Sequence, residues 1–125
     1  MGTGIDGEPI MNVNLSEVRI FVRPGATDMR KQINGLAVIA EAIMKQQPFS
    51  GNLFLFCGRS RTIMKVLYWD RNGFCLWMKR LEKEKFPWPA DDLEAKEIDR
   101  DQILLLLRGI DFWHEHRSLS YTTVL

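Results

Sequence analysis

Cationic side chains crowd the middle of this 125-residue chain. Residues 59–90 hold eight lysines and arginines against three acids, whereas residues 91–125 hold four bases against eight acids. Such an excess of positive charge suits a polyanion, for example the phosphate backbone of a nucleic acid. Mutual neutralisation of the two segments within the fold is the alternative. The first interpretation predicts nucleic-acid contact for Arg59, Arg61, Lys65, Lys79, Arg80, Lys83 and Lys85.

Two strand-like runs lie within the basic segment. They are IMKVLYW at 63–69 and FCLWMK at 74–79, both rich in β-branched and aromatic residues. Asn72-Gly73 separates them, and this dipeptide is typical of a tight hairpin turn. The sequence therefore predicts an antiparallel hairpin.

The predicted hairpin sets like charges side by side. A two-residue loop at Asn72-Gly73 puts Lys65 opposite Arg80, and a three-residue loop puts it opposite Lys79. Such pairs are destabilising unless an anion lies between them. The three-residue loop also places Trp69 and Trp77 on one face. We expect these two rings to belong to the core, with stacking on nucleic-acid bases as the alternative.

Other polar residues lack a catalytic or metal-binding pattern. The run His114–His116 contains two histidines, but the sequence nearby supplies no third or fourth metal ligand. Asp28, Asp70 and Asp111 each have a structural explanation, as a helix cap, a turn residue and a residue after a helix end. No phosphate-binding loop, dinucleotide fingerprint or nucleophile elbow is present. We therefore predict no enzyme activity, no cofactor and no metal.

The composition favours a soluble cytoplasmic protein. No apolar run approaches the roughly 18 residues that a membrane-spanning helix needs. The two cysteines, Cys57 and Cys75, lie in apolar, strand-like runs. Two such residues are typical of free buried thiols in a reducing compartment.

The first half of the chain predicts a strand followed by a helix. RIFV at 19–22 suits a short strand, which Pro24-Gly25 ends. Apolar residues then recur at three- and four-residue steps up to about Gln47, a pattern that indicates an amphipathic helix. Thr27 or Asp28 is the predicted N-cap.

The second half predicts three strands and another helix. LFLF at 53–56 precedes the hairpin. The later helix begins at about Arg100 or Asp101, with Asp99 as its cap, and ends at Gly109.

These elements together predict an α+β fold. We expect a small antiparallel sheet of about three to four strands with a central hairpin, packed with two or more helices on one side. Residues 1–14 are predicted to be a flexible lead, 15–117 a single domain and 118–125 a tail.

Several stretches resemble one protein family. They are DMRKQINGL at 28–36, FSGNLFLF at 49–56, RSRTIMKVLYWDRNGFCLWMKRLE at 59–82, FPWP at 86–89 and LLLRGID at 105–111. The pattern is similar to that of the accessory protein of the insertion-sequence-66 family, which is Orf2-like and of the TnpB type. Beyond the basic residues, the resemblance marks a family motif of Asp28, Met29, Arg30, Tyr68, Trp69 and Asp70.

The resemblance implies a role in the DNA transposition of a bacterial mobile element. A separate, larger transposase would carry the catalytic acidic residues. The expected partners are DNA, this transposase and the other accessory protein of the element. With the basic hairpin, the resemblance predicts a non-catalytic DNA-binding factor. The alternative is an interaction adaptor that holds the transposase complex without touching DNA.

Overall fold

The computed structural model describes residue 11 and residues 13–90 and 95–113. Its elements are β1 (Ile20–Val22), α1 (Ile33–Ala42), a 3-10 helix (Pro48–Ser50), β2 (Leu53–Cys57), β3 (Ile63–Asp70), β4 (Gly73–Arg80), β5 (Lys96–Ile98) and α2 (Arg100–Leu107). The predicted α+β class is confirmed. No helix in the described part of the chain is long and apolar enough to cross a membrane.

The five strands form one mixed sheet in the order β4-β3-β2-β1-β5. β1 and β2 are parallel, and the other neighbours are antiparallel. The sheet is therefore larger than predicted and not wholly antiparallel, because α1 carries the chain back between two parallel strands. The hairpin of β3 and β4 forms one edge of the sheet rather than its centre.

Both faces of the sheet are covered. All five residues of β2 are buried, and they alternate between two hydrophobic clusters. Leu36 and Ala40 of α1 pack with Phe54 on one face. Ile103 of α2 packs with Leu55 on the other. The expectation of helices on one side is wrong, because a strand that is apolar on both faces needs cover on both.

The two helices differ in how they begin. α2 starts as predicted, since the Asp99 side chain accepts a bond from the Gln102 N–H and the Gln102 side chain bonds back to Asp99. Gly109, at φ +79°, ends that helix. α1 starts at Ile33 and ends at Ala42, and its N-cap makes no side-chain bond. The predicted caps Thr27 and Asp28 are therefore wrong for α1.

The hairpin turn lies one residue earlier than predicted. Asp70 pairs with Gly73, so the loop consists of Arg71 and Asn72. Lys65 consequently lies opposite Met78, and the predicted like-charge pair with Lys79 or Arg80 is wrong.

The same register separates the two tryptophans. Trp69 packs beside Phe74, a residue of the α1 face, whereas Trp77 lies opposite Val66 and packs on the α2 face. A shared face for the two rings is therefore wrong as well.

Some predictions concern the ends of the chain. Met11 lies within the predicted lead, is buried, and accepts a hydrogen bond from the Tyr68 hydroxyl at 2.8 Å. Residues 1–10, the run His114–His116 and the predicted tail at 118–125 lie outside the described residues.

Candidate nucleic-acid interface

Three loops meet at one end of the sheet. β1 and β2 are parallel, so the loops that follow them leave from the same end. β3 starts and β4 ends there too, because each is antiparallel to its neighbour. In open sheets, ligands bind in the crevice beyond the carboxyl ends of parallel strands. A binding site is therefore expected at this end of the molecule.

The segment after β4 is held against the loop between β2 and β3. The Leu81 N–H donates to the Thr62 carbonyl at 2.8 Å, and the Phe86 N–H donates to the Arg61 carbonyl at 2.7 Å. Residues 82–85 project between these two bonds. They therefore bring their charges to the same end of the sheet.

Exposed cations gather at this end, and we call the surface formed by five of them the basic end. Arg30 and Lys31 come from the loop after β1, Arg59 comes from the loop after β2, and Lys83 and Lys85 follow β4. The Arg30 side chain is 91% exposed. Of the seven predicted contact residues, Arg59, Lys83 and Lys85 belong to this group.

A cleft of about 490 Å³ opens between two of these loops. Residues 26–30 form one wall, and Gly58, Arg59, Ser60 and Ile63 form the other. The walls approach closely, since a Cβ on Gly58 would lie 2.7 Å from the Met29 Cγ. Arg30 and Arg59 thus line the cleft from opposite sides.

Lys65 supports the cleft from behind. Its side chain is only 5% exposed, and its Nζ donates to the carbonyls of Met29 at 2.8 Å and Lys31 at 2.9 Å. The Thr27 N–H also donates to the Cys57 carbonyl at 2.8 Å. We call residues 26–31, held in this way, the braced turn. Lys65 therefore holds in place the backbone that carries Arg30 and Lys31. Its own side chain does not reach the surface.

Asp28 orients Arg30. Its carboxylate accepts bonds from the Arg30 backbone N–H at 3.0 Å and from the guanidinium at 2.9 Å. The guanidinium bond is the main reason that the pKa of Asp28 is held well below its usual range. The family-motif residues Asp28, Met29 and Arg30 thus form one structural unit.

Three other predicted contact residues have partners within the protein. The Arg61 Nη1 donates to the Trp88 carbonyl at 2.9 Å. The Lys79 Nζ donates to the Leu107 carbonyl at 2.9 Å, at the negative end of the α2 dipole. Arg80 pairs with Glu82 at 3.0 Å on the surface. Their role toward a nucleic acid stays a prediction.

The rest of the family motif lies away from the basic end. Tyr68 is buried on the α2 side of the sheet, and burial raises its pKa to about 12. Trp69 forms an aromatic cluster with Phe49 and Phe74, with ring centroids 5.0 to 5.2 Å apart. Asp70 is exposed beside the hairpin turn. These residues therefore do not form one site with the braced turn.

The three aspartates Asp28, Asp70 and Asp111 do not come together at the basic end. Asp28 and Asp70 lie at opposite ends of the sheet, and Asp111 follows α2. Across the described ranges 13–90 and 95–113, no three His, Cys, Asp or Glu side chains come close enough to share a metal ion.

Sequence reasoning missed Lys31 as a surface cation and did not connect Arg30 with the basic segment. Only the parallel pairing of β1 with β2 brings these residues beside Arg59. The sequence does predict the strand before Pro24. The sequence pattern does not identify the strand with which it pairs.

A family model described as "IS66 Orf2 like protein" matches residues 18–117. The chain belongs to the IS66 Orf2-like family. It is thus an insertion-sequence accessory protein, and the predicted resemblance is confirmed.

Two curated relatives come from Sinorhizobium fredii, and both are described as uncharacterized proteins. The protein y4hO is 39% identical over 107 residues, which cover 86% of this chain and 93% of the relative. The protein y4jC is 30% identical over 101 residues, which cover 81% and 86%. No solved structure matches the chain.

Proposed function

We propose that this IS66 Orf2-like protein is a non-catalytic factor that binds DNA phosphates through the basic end during transposition in the bacterial cytoplasm. The observation that supports the proposal is the meeting of three loops, which brings Arg30, Lys31, Arg59, Lys83 and Lys85 to one end of the sheet. These side chains are exposed. Among the described residues, three acids lie near these cations: Asp28 and Glu82, which are each paired with an arginine, and Glu84.

Such a surface predicts a strong salt dependence. Each phosphate neutralised contributes about −0.9 to the slope of log affinity against log salt. Five contacts would therefore weaken binding about 500-fold between 50 and 200 mM salt. Fluorescence anisotropy with a labelled duplex and a labelled single strand measures this slope and the strand preference. Affinity that does not change with salt would contradict the proposal.

A matched pair of double variants locates the binding surface. Lys31→Gln with Arg59→Gln removes two cations from the basic end, and we expect the salt slope to fall by about two. Lys45→Asn with Arg71→Asn removes the same charge at the far end of the sheet. Both control positions are exposed and have positive φ, 58° and 56°, which asparagine tolerates. Equal losses in the two double variants would contradict binding at the basic end.

The second candidate function is an interaction adaptor for the transposase complex that makes no direct DNA contact. Exposed apolar side chains favour it, since Val38, Phe49 and Met78 are each more than half exposed. Co-purification with the transposase or the other accessory protein of the element, with no DNA binding at low salt, would establish this alternative.

A further inference from the structure

The two edges of the sheet differ in how well they are protected. β5 forms one edge with three residues, of which Lys96 and Glu97 are exposed and charged. β4 forms the other edge with eight residues, and no described strand pairs with its outer side. Residues 74–78 contain neither a charge nor a proline. Long uncharged edges of this kind pair readily with another strand.

The outer side of β4 presents backbone groups that are paired with none of the described residues. In an antiparallel pair, every second residue bonds to the neighbour. The Leu81 N–H bonds to the Thr62 carbonyl across the β3–β4 register, which assigns the odd-numbered residues of β4 to β3. The backbone N–H and C=O groups of Phe74, Leu76 and Met78 therefore point away from the sheet. We call these three residues the open row.

The open row is complementary to itself. Its side chains lie on the α1 face, where Phe74 belongs to the aromatic cluster and Met78 is 58% exposed. Antiparallel pairing with an identical strand, centred on Leu76, sets Met78 against the partner's Phe74. A methionine thioether packs favourably beside an aromatic ring. The two-fold axis that relates the two copies produces this Met78 contact with the partner's Phe74 twice, as isologous interfaces require.

The charges of β4 also favour an antiparallel arrangement. Its cations, Lys79 and Arg80, lie together at one end of the strand. In the antiparallel register they face the uncharged Gly73 and Asn72 of the partner subunit. A parallel arrangement would set the cations of the two copies side by side, which is destabilising.

We propose that two copies of this protein associate through antiparallel pairing of β4, which extends the sheet across both molecules. About six new backbone hydrogen bonds form along the two open rows. The basic ends of the two copies then lie at opposite ends of the extended sheet. The association does not depend on DNA binding.

Sedimentation velocity of the full chain over about 1 to 100 μM tests the proposal. We expect a dimer for the natural chain and a monomer for Met78→Lys, because the new charge would face the partner's Phe74. Val38→Lys is the matched control, since Val38 on α1 is similarly exposed at 62%. That variant stays dimeric. A monomeric natural chain, or equal dissociation of both variants, overturns the proposal.

Cross-linking tests the register. In a Cys75→Ser background, Leu76→Cys places two thiols opposite each other, and a short bismaleimide links them. Met78→Cys places its two thiols about 13 Å apart along the strands, because four residues separate them. We expect efficient linkage for Leu76→Cys alone. Absence of that product, or equal linkage of both variants, overturns the pairing centred on Leu76.

Discussion

The braced turn and the segment 82–85 both bring cations to the basic end, but they are held differently. The braced turn is bonded to the sheet, because Lys65 of β3 donates to two of its carbonyls and the Thr27 N–H donates to Cys57 of β2. The segment 82–85 is held by backbone bonds on either side of it, at Leu81 and Phe86. A side chain on a preorganised backbone loses less entropy on binding. Lys65 shows that a buried lysine can position the cations of a charged surface without being part of that surface.

Replacing the bracing lysine should give the largest effect. Lys65→Met keeps the length of the side chain but leaves two carbonyls without their donor, and we expect the free energy of unfolding to fall by about 2 to 3 kcal/mol. DNA affinity should fall as well, because Arg30 and Lys31 lose their fixed position. Urea denaturation and anisotropy measure the two effects. Lys79→Met, which frees one carbonyl at a helix end, should lower stability by about 1 kcal/mol. Equal losses would contradict the bracing role.

Tight packing between the loops gives the second prediction. Gly58→Ala forces a methyl group against Met29, and we expect a loss of about 1 to 2 kcal/mol. Gly73→Ala is the matched control, since nothing lies within 4 Å of the added Cβ. Its effect should stay within about 0.5 kcal/mol. Thermal or urea unfolding that ranks the two variants the other way would show that Gly58 does not limit the approach of the loops.

The less constrained segment should give a smaller effect. Lys83→Gln with Lys85→Gln should leave stability within about 0.5 kcal/mol of the natural chain. The same double variant should weaken DNA binding less than Lys31→Gln with Arg59→Gln, because it removes cations from the less preorganised part of the surface. Anisotropy at one salt concentration compares them. A larger loss from the lysine pair would reverse the ranking of the two regions.

Acid titration should give the smallest effect. Because the pKa of Asp28 is lowered in the folded state, its pair with Arg30 stabilises the protein at any pH above the unfolded value of about 3.9. This contribution is lost as the pH falls through the lower folded value. The stability difference between the natural chain and Asp28→Asn should therefore stay constant from about pH 8 to pH 5 and shrink below about pH 4. A difference that already shrinks above pH 5 would contradict the assignment.

Local signals in the sequence predict local structure well. Asp99 and Gly109 mark the two ends of α2, because the capping bonds join residues only a few positions apart. The hairpin is also predicted, but its turn is displaced by one residue. Arg71 adopts φ +56°, which is uncommon for arginine, while the turn-favouring Gly73 starts β4. Turn propensity alone therefore did not set the register.

Long-range contacts explain what the sequence did not predict. α1 begins four residues after Met29. The Met29 carbonyl accepts a hydrogen bond from Lys65, which lies 36 positions further along the chain. A hydrophobic pattern likewise does not identify β2 as the parallel partner of β1. Exposed cations such as Arg59 and Lys83 could be predicted from charge alone. The buried role of Lys65 could not, because only the folded topology brings it under the braced turn.

The pairing of Ile20 with Ile98 joins strands from distant parts of the chain. During translation, β1 can join β2 as soon as β2 has left the ribosome, but its other side waits until β5 has been synthesised. The nascent protein therefore carries an open strand edge through much of its synthesis. A premature stop before residue 96 would leave that edge uncovered permanently, in a product that still contains the whole basic end.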